Sequence, residues 1–279
     1  MNEVNKTLFI PLYGKAQVSQ KGLILRDQKA EEIWGKESFA IAGKAKSRWL
    51  AYFMAMRARV FDDWADRMLA LHPDALVLHS GCGLDSRGLR VKEPDREWVD
   101  ADFPEVIRQR SRYFASTERY RMMGLDASKV EELQKLPQSP CAIVLLEGIS
   151  MYLTAGQLHA LLAFLHQRYP AVYLLMDCYT EWAARASKYK NPVNEVGVTT
   201  LYGIDDLPSL AAGTGIRVEA EHSLVPARLV DELPGWARAF FRAVFREKWV
   251  RRLYRLYELE GQGQKAHQKG TRAQSPRPF

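Results

Sequence analysis

A succession of short apolar segments limits the possible folds of this chain more than any other feature. Three of them, ALVLHS, CAIVLLE and AVYLLMD, are apolar along almost their whole length. Strands covered by helices on both faces have this character, whereas strands with one face in water alternate apolar and polar residues. Six strands are predicted in this way: Ala75–Ser80, Glu97–Ala101, Tyr120–Leu125, Cys141–Glu147, Ala171–Asp177 and Ile216–Glu221.

Helical segments alternate with these strands. The pattern predicts helices over Phe103–Phe114, Ser128–Leu136 and Ala155–Arg168, each between two strands. Such alternation is typical of right-handed β-α-β crossovers. We therefore predict a doubly wound α/β domain with a mostly parallel sheet over residues 73–260.

Two regions flank that domain. Residues 1–72 are predicted to be an N-terminal helical cap segment, because Glu37–Leu71 looks helical and offers large apolar side chains for packing. Near the other end, Trp236–Trp249 predicts a helix. The next segment, Arg251–Leu259, could continue that helix or form a last strand, and we favour the strand. Residues 261–279 are rich in Gly, Gln, Lys, Ser and Pro, and they predict a disordered basic tail.

Composition argues against several classes of protein. No apolar run approaches the roughly 20 residues of a membrane-spanning helix, and the first six residues lack the order of a secretory signal, so we expect a cytoplasmic protein without membrane contact. The three cysteines have no zinc-ligand spacing, so no metal is expected. The net charge of +7 arises from Arg228 onward, where 12 lysines and arginines, Arg228 included, stand against five acidic residues. We interpret this excess as a solvated helix face and a loose tail.

The loop after the first predicted strand has the character of a cofactor site. Gly81 and Gly83 would let the backbone turn sharply and let a ligand lie against the main chain. A dinucleotide-binding loop would have a third glycine where Ser86 stands, and Asp85 would repel a phosphate. The loop therefore favours an adenosine cofactor that carries no phosphate, such as S-adenosylmethionine.

Acidic residues stand at the ends of the next three predicted strands. Asp102 lies 19 residues after Gly83, the spacing typical of a carboxylate that accepts from both ribose hydroxyls. Asp100 competes for this role, but Asp102 is the one that emerges if the strand ends at Ala101. Asp126 could accept from an adenine amino group. Glu147 could meet the ammonium of a methionine moiety. Three acids at successive strand ends favour one cleft at the sheet edge.

The acids and the glycine loop belong to four sequence blocks, Leu78–Arg87, Asp102–Val106, Gly124–Asp126 and Glu147–Leu153. In their content and order these blocks resemble the leucine carboxyl methyltransferase family, whose bacterial branch includes polyketide O-methyltransferases of the tetracenomycin type. The resemblance spans about Thr7 to Leu153. The resemblance implies a class I methyltransferase fold, with a seven-stranded sheet whose last strand is antiparallel. It also implies S-adenosylmethionine as the methyl donor.

The resemblance implies roles for individual residues. Gly81 matches the first glycine of the cofactor loop and Asp102 the ribose acid. Asp126 with Ala127 matches the adenine contact, and Glu147 matches the acid after the fourth strand.

Two basic residues upstream receive roles in the same way. Arg57 matches an arginine that binds the cofactor carboxylate, a task suited to the planar guanidinium fork. Arg59 is the alternative if the register is shifted. Lys15 matches an early basic segment and could form a lid or a carboxylate contact.

The predicted activity is methyl transfer to an oxygen, of either a carboxylate or a phenol. The acceptor would be a small polyketide-like molecule or the C-terminal carboxylate of a protein. A nucleic acid is disfavoured, because no Asn/Asp-Pro-Pro-Tyr block follows the fourth strand. Alternatives are a nucleotide-dependent oxidoreductase, and a non-catalytic binding or assembly protein with a basic contact surface. No general base is identified, since four histidines are each interpreted as structural or exposed: His79, His159, His166 and His222.

Overall fold

A seven-stranded sheet forms the centre of the chain. The computed structural model describes residues 7–36, 43–92, 96–190, 200–245 and 247–263. The strand order is β3-β2-β1-β4-β5-β7-β6, and β7 runs antiparallel to both of its neighbours while the other pairs are parallel. This confirms the predicted doubly wound fold with its last strand antiparallel. The strands are β1 Leu76–Ser80, β2 Trp98–Asp102, β3 Tyr120–Gly124, β4 Cys141–Leu146, β5 Ala171–Tyr179, β6 Arg217–His222 and β7 Tyr254–Gln262.

Helices cover both faces of the sheet and precede it. In chain order they are α1 Phe9–Ser19, α2 Gln28–Lys36, α3 Arg48–Leu71, α4 Arg87–Arg90, α5 Pro104–Arg110, α6 Val130–Leu133, α7 Ala155–Arg168, α8 Glu181–Lys190, α9 Leu207–Ala211, α10 Ala227–Asp231, α11 Gly235–Val244 and α12 Lys248–Leu253. Two short 3₁₀ turns lie at Gly43–Lys46 and Ser150–Tyr152. Of the described helices, none is long and apolar enough to cross a membrane.

Alternate strand residues build two separate cores. On one face, Val77 of β1 and Leu145 of β4 pack with α3 and with the apolar sides of α10 and α11. On the other face, Leu78 and Val144 pack with α7 and α9. Successive side chains of a strand point to opposite faces, so a run that is apolar throughout serves both cores.

The N-terminal helices differ in part from the prediction. The helix expected over Glu37–Leu71 begins only at Arg48, after the 3₁₀ turn at Gly43–Lys46, and residues 37–42 lie outside the described part of the chain. Helix α3 packs on β4 and β5, and α1 packs on α3. The division into a cap of residues 1–72 and a domain of residues 73–260 stays a prediction.

Two crossover helices are shorter than predicted. The segment Phe103–Phe114 is helical only over Pro104–Arg110, because Arg112 N and Tyr113 N bond to the carbonyls three positions earlier instead of four. The segment Ser128–Leu136 is helical only over Val130–Leu133 for the same reason. By contrast, the helix predicted over Ala155–Arg168 has those bounds.

The C-terminal prediction needs three corrections. The helix expected over Trp236–Trp249 ends at Val244, and a separate helix covers Lys248–Leu253. The strand favoured over Arg251–Leu259 is confirmed from Tyr254 onward, but its first three residues are helical. Strand β7 starts at Tyr254 because its ladder begins opposite the last residue of β5. It continues through Gly261 and Gln262, opposite the first residues of β5, so these two residues do not belong to the predicted tail.

Candidate functional site

A cavity of about 300 Å³ opens at the carboxyl ends of the parallel strands. The loops after β1, β2, β3 and β4 form one side, and residues of α1 and α3 form the other. Cofactor sites in doubly wound sheets lie at this edge, where the strand order reverses. All eight residues predicted to bind the cofactor line the cavity: Lys15, Arg57, Gly81, Gly83, Asp102, Asp126, Ala127 and Glu147.

The glycine loop after β1 requires a glycine at its first position. Gly81 has φ of +70°, a conformation that side chains rarely adopt, and an added Cβ would lie 1.9 Å from Cγ2 of Ile149. Its N–H donates to the carbonyl of Ala101 at 2.8 Å, which ties the loop to β2. The backbone of this loop is therefore held close against the following loops.

Asp102 projects into the cavity and is held by two backbone amides. Its Oδ2 accepts from Gly83 N at 2.8 Å and its Oδ1 from Phe103 N at 2.7 Å. Burial raises the pKa of Asp102 above 3.8, and the two amides oppose that shift. The strand does not end at Ala101 as predicted, because its ladder continues to Asp102 opposite Gly124.

Asp100, the competing acid, does not line the cavity. It is fully buried and pairs with Arg110, the Tyr120 hydroxyl at 2.5 Å and the Trp98 indole N–H at 2.8 Å. Burial raises the pKa of Asp100, but Arg110 and its hydrogen-bond partners outweigh burial and hold it at about 2. Of the two acids, only Asp102 faces the cavity.

Asp126 and Ala127 follow β3 on the far side of the cavity. Asp126 Oδ1 accepts from Ser128 N at 2.9 Å and from Ser128 Oγ at 2.7 Å, a local turn that fixes the carboxylate. Its Oδ2 lies 3.5 Å from Lys129 Nζ. The turn also sets the position of the Ala127 backbone between the two residues.

Arg57 and Glu147 form a buried ion pair in the cavity wall. Arg57 Nε donates to Glu147 Oε1 at 3.0 Å, and Arg87 donates to the other oxygen of Glu147. Burial raises the pKa of Glu147, but the two arginines outweigh it and hold this pKa at about 2. Arg59, the alternative to Arg57, bonds Asp63 and the Ile24 carbonyl and does not line the cavity.

Lys15 connects the first helix to the glycine loop. Its Nζ lies 2.8 Å from Asp85 Oδ2, and both side chains are buried. Burial raises the pKa of Asp85, but Arg90, Lys15 and Arg87 outweigh it and hold this pKa well below its ordinary range. The acid that was expected to repel phosphate is therefore a buried anchor for three cations.

Sequence reasoning missed three polar residues around Arg57. Asp177 is fully buried beneath the cavity, Tyr254 lines it at the start of β7, and Arg87 is fully buried between Asp62 and Glu147. A signal for Asp177 existed, since it lies near the end of a predicted strand like the other acids. Tyr254 gave none, because its place depends on the antiparallel register.

Three of the four histidines considered above contact other protein groups, and among the four only His79 lines the cavity. His79 is buried, with Nε2 3.2 Å from Arg87 Nη1 and Nδ1 3.3 Å from Asp100 Oδ1. His159 bonds the Leu210 carbonyl at 2.8 Å, and His222 lies 2.6 Å from Glu258. Within the described ranges, no group of three or more His, Cys, Asp or Glu side chains is arranged to hold a metal ion.

Comparison with solved structures finds methyltransferases. Magnesium protoporphyrin IX methyltransferase from Synechocystis PCC 6803 superposes over 84% of this chain and 93% of its own, with a TM-score of 0.49 and 12% identity. An O-methyltransferase family protein from Burkholderia thailandensis superposes over 77% of this chain and 60% of its own, with a TM-score of 0.48 and 13% identity.

Comparison of sequences is more specific. The tetracenomycin polyketide synthesis O-methyltransferase TcmP of Streptomyces glaucescens is 32% identical over 90% of this chain and 96% of its own length. The S-adenosyl-L-methionine-dependent methyltransferase dpfgK of Gibberella zeae is 30% identical over 56% of this chain and 58% of its own. The sequence model of the leucine carboxyl methyltransferase family matches residues 4–166. The predicted resemblance is thus confirmed, and the chain belongs to the leucine carboxyl methyltransferase family of S-adenosylmethionine-dependent methyltransferases.

Proposed function

We propose that the chain transfers a methyl group to the carboxylate of a small, largely apolar molecule. The cofactor, when bound, supplies a methyl group on a sulfonium, which a nucleophilic oxygen can take by direct in-line displacement. The tasks left to the chain are to hold the cofactor, to align the acceptor oxygen and to exclude water.

The side chains of the cavity fit the cofactor. Asp102 keeps acceptor capacity beyond its two amide bonds, as a pair of ribose hydroxyls requires. Asp126 and Ala127 offer a carboxylate and a backbone for the adenine. Arg57 and Glu147 place opposite charges side by side, which suits the carboxylate and ammonium of the methionine end.

The glycine loop and the first helix complete the cofactor site. Gly81 and Gly83 leave main chain rather than side chains against the cavity. Lys15 holds Asp85 and thereby joins α1 to the loop. We assign Lys15 this anchoring role in preference to a direct bond with the cofactor.

The choice of a carboxylate acceptor rests on one observation: among the described residues that line the cavity, Glu147 and His79 are each held by arginines and are not suited to act as a general base. Glu147 is committed to two arginines, and the Nε2 lone pair of His79 faces an Arg87 N–H. Tyr152 also lines the cavity, but burial raises its pKa to about 12, so it stays protonated near neutral pH. A phenolic acceptor, too, is protonated near neutral pH. A phenolic acceptor needs a base to lose its proton, whereas a carboxylate is already anionic.

The apolar character of the acceptor follows from the rest of the lining. The N-terminal end of α1, helix α3, the 3₁₀ turn after β4 and the last residue of β5 contribute six apolar or aromatic side chains: Leu8, Ile10, Leu50, Met54, Met151 and Tyr179. Pockets of this kind bind apolar molecules and use a few polar groups for orientation. The description of the Streptomyces glaucescens relative, which places it in polyketide synthesis, supports a small molecule over a protein.

The test is a panel of acceptors with methyl-labelled S-adenosylmethionine. Each polycyclic aromatic acid is paired with the matching phenol that lacks the carboxyl group, and a peptide with a free C-terminal leucine is added. We expect label in the acids, released by mild alkali because methyl esters hydrolyse there. Alkali-stable label in the phenols would contradict the carboxylate proposal, and label in the peptide would contradict the small-molecule proposal.

A further inference from the structure

Tyr254 reaches the cavity from the antiparallel side of the sheet. It is the first residue of β7 and pairs with Tyr179, the last residue of β5. The two rings lie 4.4 Å apart between centroids, and both line the cavity. The register of one antiparallel ladder therefore fixes where the Tyr254 hydroxyl lies.

That hydroxyl bonds two charged groups. It accepts from Arg57 Nη1 at 2.7 Å and donates to Asp177 Oδ2 at 2.5 Å. Arg57 Nη1 also lies 3.2 Å from the same Asp177 oxygen. Asp177 is itself fixed, since it is fully buried and its Oδ1 accepts from Gly148 N at 2.7 Å.

These contacts hold the Arg57 guanidinium through two of its three nitrogens. Arg57 uses Nε toward Glu147 and Nη1 toward Tyr254 and Asp177, and within the described residues it makes no hydrogen bond from Nη2. Gly148 lies against the group, because an added Cβ there would come within 3.1 Å of Nη1. A long side chain loses much rotamer freedom when it binds a ligand, and a guanidinium already held in place loses less.

We propose that Tyr254 is a positioning residue that orients Arg57 toward the carboxylate of the cofactor. The proposal rests on the role of Arg57 in the proposed function. Without the hydroxyl, Nη1 keeps only the longer contact with Asp177, so the ion pair survives but its direction is less restricted. The fold is expected to tolerate the change, because the ring and its stacking on Tyr179 remain.

The experiment compares two ligands by calorimetry. S-adenosylhomocysteine carries the amino acid carboxylate, and 5′-methylthioadenosine lacks the whole amino acid part. For Tyr254→Phe we expect binding of the first to weaken about 3- to 10-fold, the loss of one typical hydrogen bond, and binding of the second to stay unchanged. In kinetics, KM for S-adenosylmethionine rises more than kcat falls. Tyr173→Phe, which removes a hydroxyl from the same sheet outside the cavity lining, is the control and moves neither affinity.

The outcomes separate this inference from the proposal on which it rests. Equal losses for both ligands, or no loss for either, overturn the positioning role of Tyr254. Arg57→Lys is measured alongside with the same ligands. If Arg57→Lys also fails to distinguish them, Arg57 does not bind the carboxylate and the proposed cofactor assignment fails first. If it does distinguish them and Tyr254→Phe does not, only the role of Tyr254 fails.

Discussion

Removal of the Asp102 carboxylate tests the cofactor assignment most directly. Asp102→Ala would leave two ribose hydroxyls desolvated without a charged acceptor, and it would free the N–H groups of Gly83 and Phe103. Hydrogen bonds to a charged group contribute about 1.5–3 kcal/mol, so binding of S-adenosylhomocysteine should weaken about 10- to 150-fold. The fold should survive, because Asp102 has no ion-pair partner within the described residues.

The choice of control follows from the structure. Substitution of the neighbouring acid, Asp100→Ala, would leave Arg110 buried without its anion and destabilise the fold. Asp74→Ala is better, because Asp74 is exposed at the opposite end of β1. Calorimetry gives the affinities and a urea titration checks the fold. An Asp102→Ala affinity within twofold of the parent chain would refute the ribose assignment.

The pH dependence of ligand binding tests independently whether the ionised Asp102 carboxylate binds the ribose. Burial raises its pKa above 3.8, and a protonated carboxyl cannot accept from both hydroxyls. Affinity for S-adenosylhomocysteine should therefore be complete near neutral pH and fall as the pH drops through that raised pKa. In Asp102→Ala this acid-dependent loss should disappear, and an unchanged acid profile would assign the titration to another group.

Three further predictions concern stability and the chain end. Glu147→Gln removes the anion beside two buried arginines and should lower the free energy of unfolding, measured by urea titration, by about 3–5 kcal/mol. Because the pKa of Glu147 is held at about 2, its contribution to stability is complete above its ordinary pKa of 4.5 and is lost as the pH falls toward 2. Gly81→Ala should cost at least about 1–2 kcal/mol, whereas Gly156→Ala, in open space, should not destabilise. Truncation of residues 264–279 should leave S-adenosylhomocysteine affinity unchanged, because β7 ends before them; a tenfold loss would show that they contribute to the site.

The parallel part of the fold could be predicted because its signals are local. A strand buried on both faces is apolar along its length, and this placed the ends of β1, β4 and β5 within two residues. Asp102, Asp126 and Glu147 stand just at or after such ends, so their meeting in one cavity followed from the topology. Strand β2 ends at Asp102, one residue later than predicted, and the Asp102 side chain still faces the cavity as expected.

The contacts that link distant segments could not be predicted. Lys15 meets Asp85 only because α1 packs against α3 over the sheet edge, and Tyr254 meets Asp177 only through the antiparallel register. A single sequence shows neither how these helices pack nor which residues of β5 and β7 pair. The end of the C-terminal helix was also missed, because Trp236–Trp249 keeps apolar residues at helical spacing past Val244, where α11 ends.

The hydrogen bonds of Arg57 set the order in which the pocket can be completed during synthesis. Arg57 is separated from Glu147 by 90 residues, from Asp177 by 120 and from Tyr254 by 197. Contacts of such large sequence separation form late, since the intervening chain must be closed first. A nascent chain that has emerged only through β5 contains Glu147 and Asp177 but not Tyr254. Ribosome-bound chains of increasing length should therefore acquire full S-adenosylhomocysteine affinity only after β7 has left the exit tunnel.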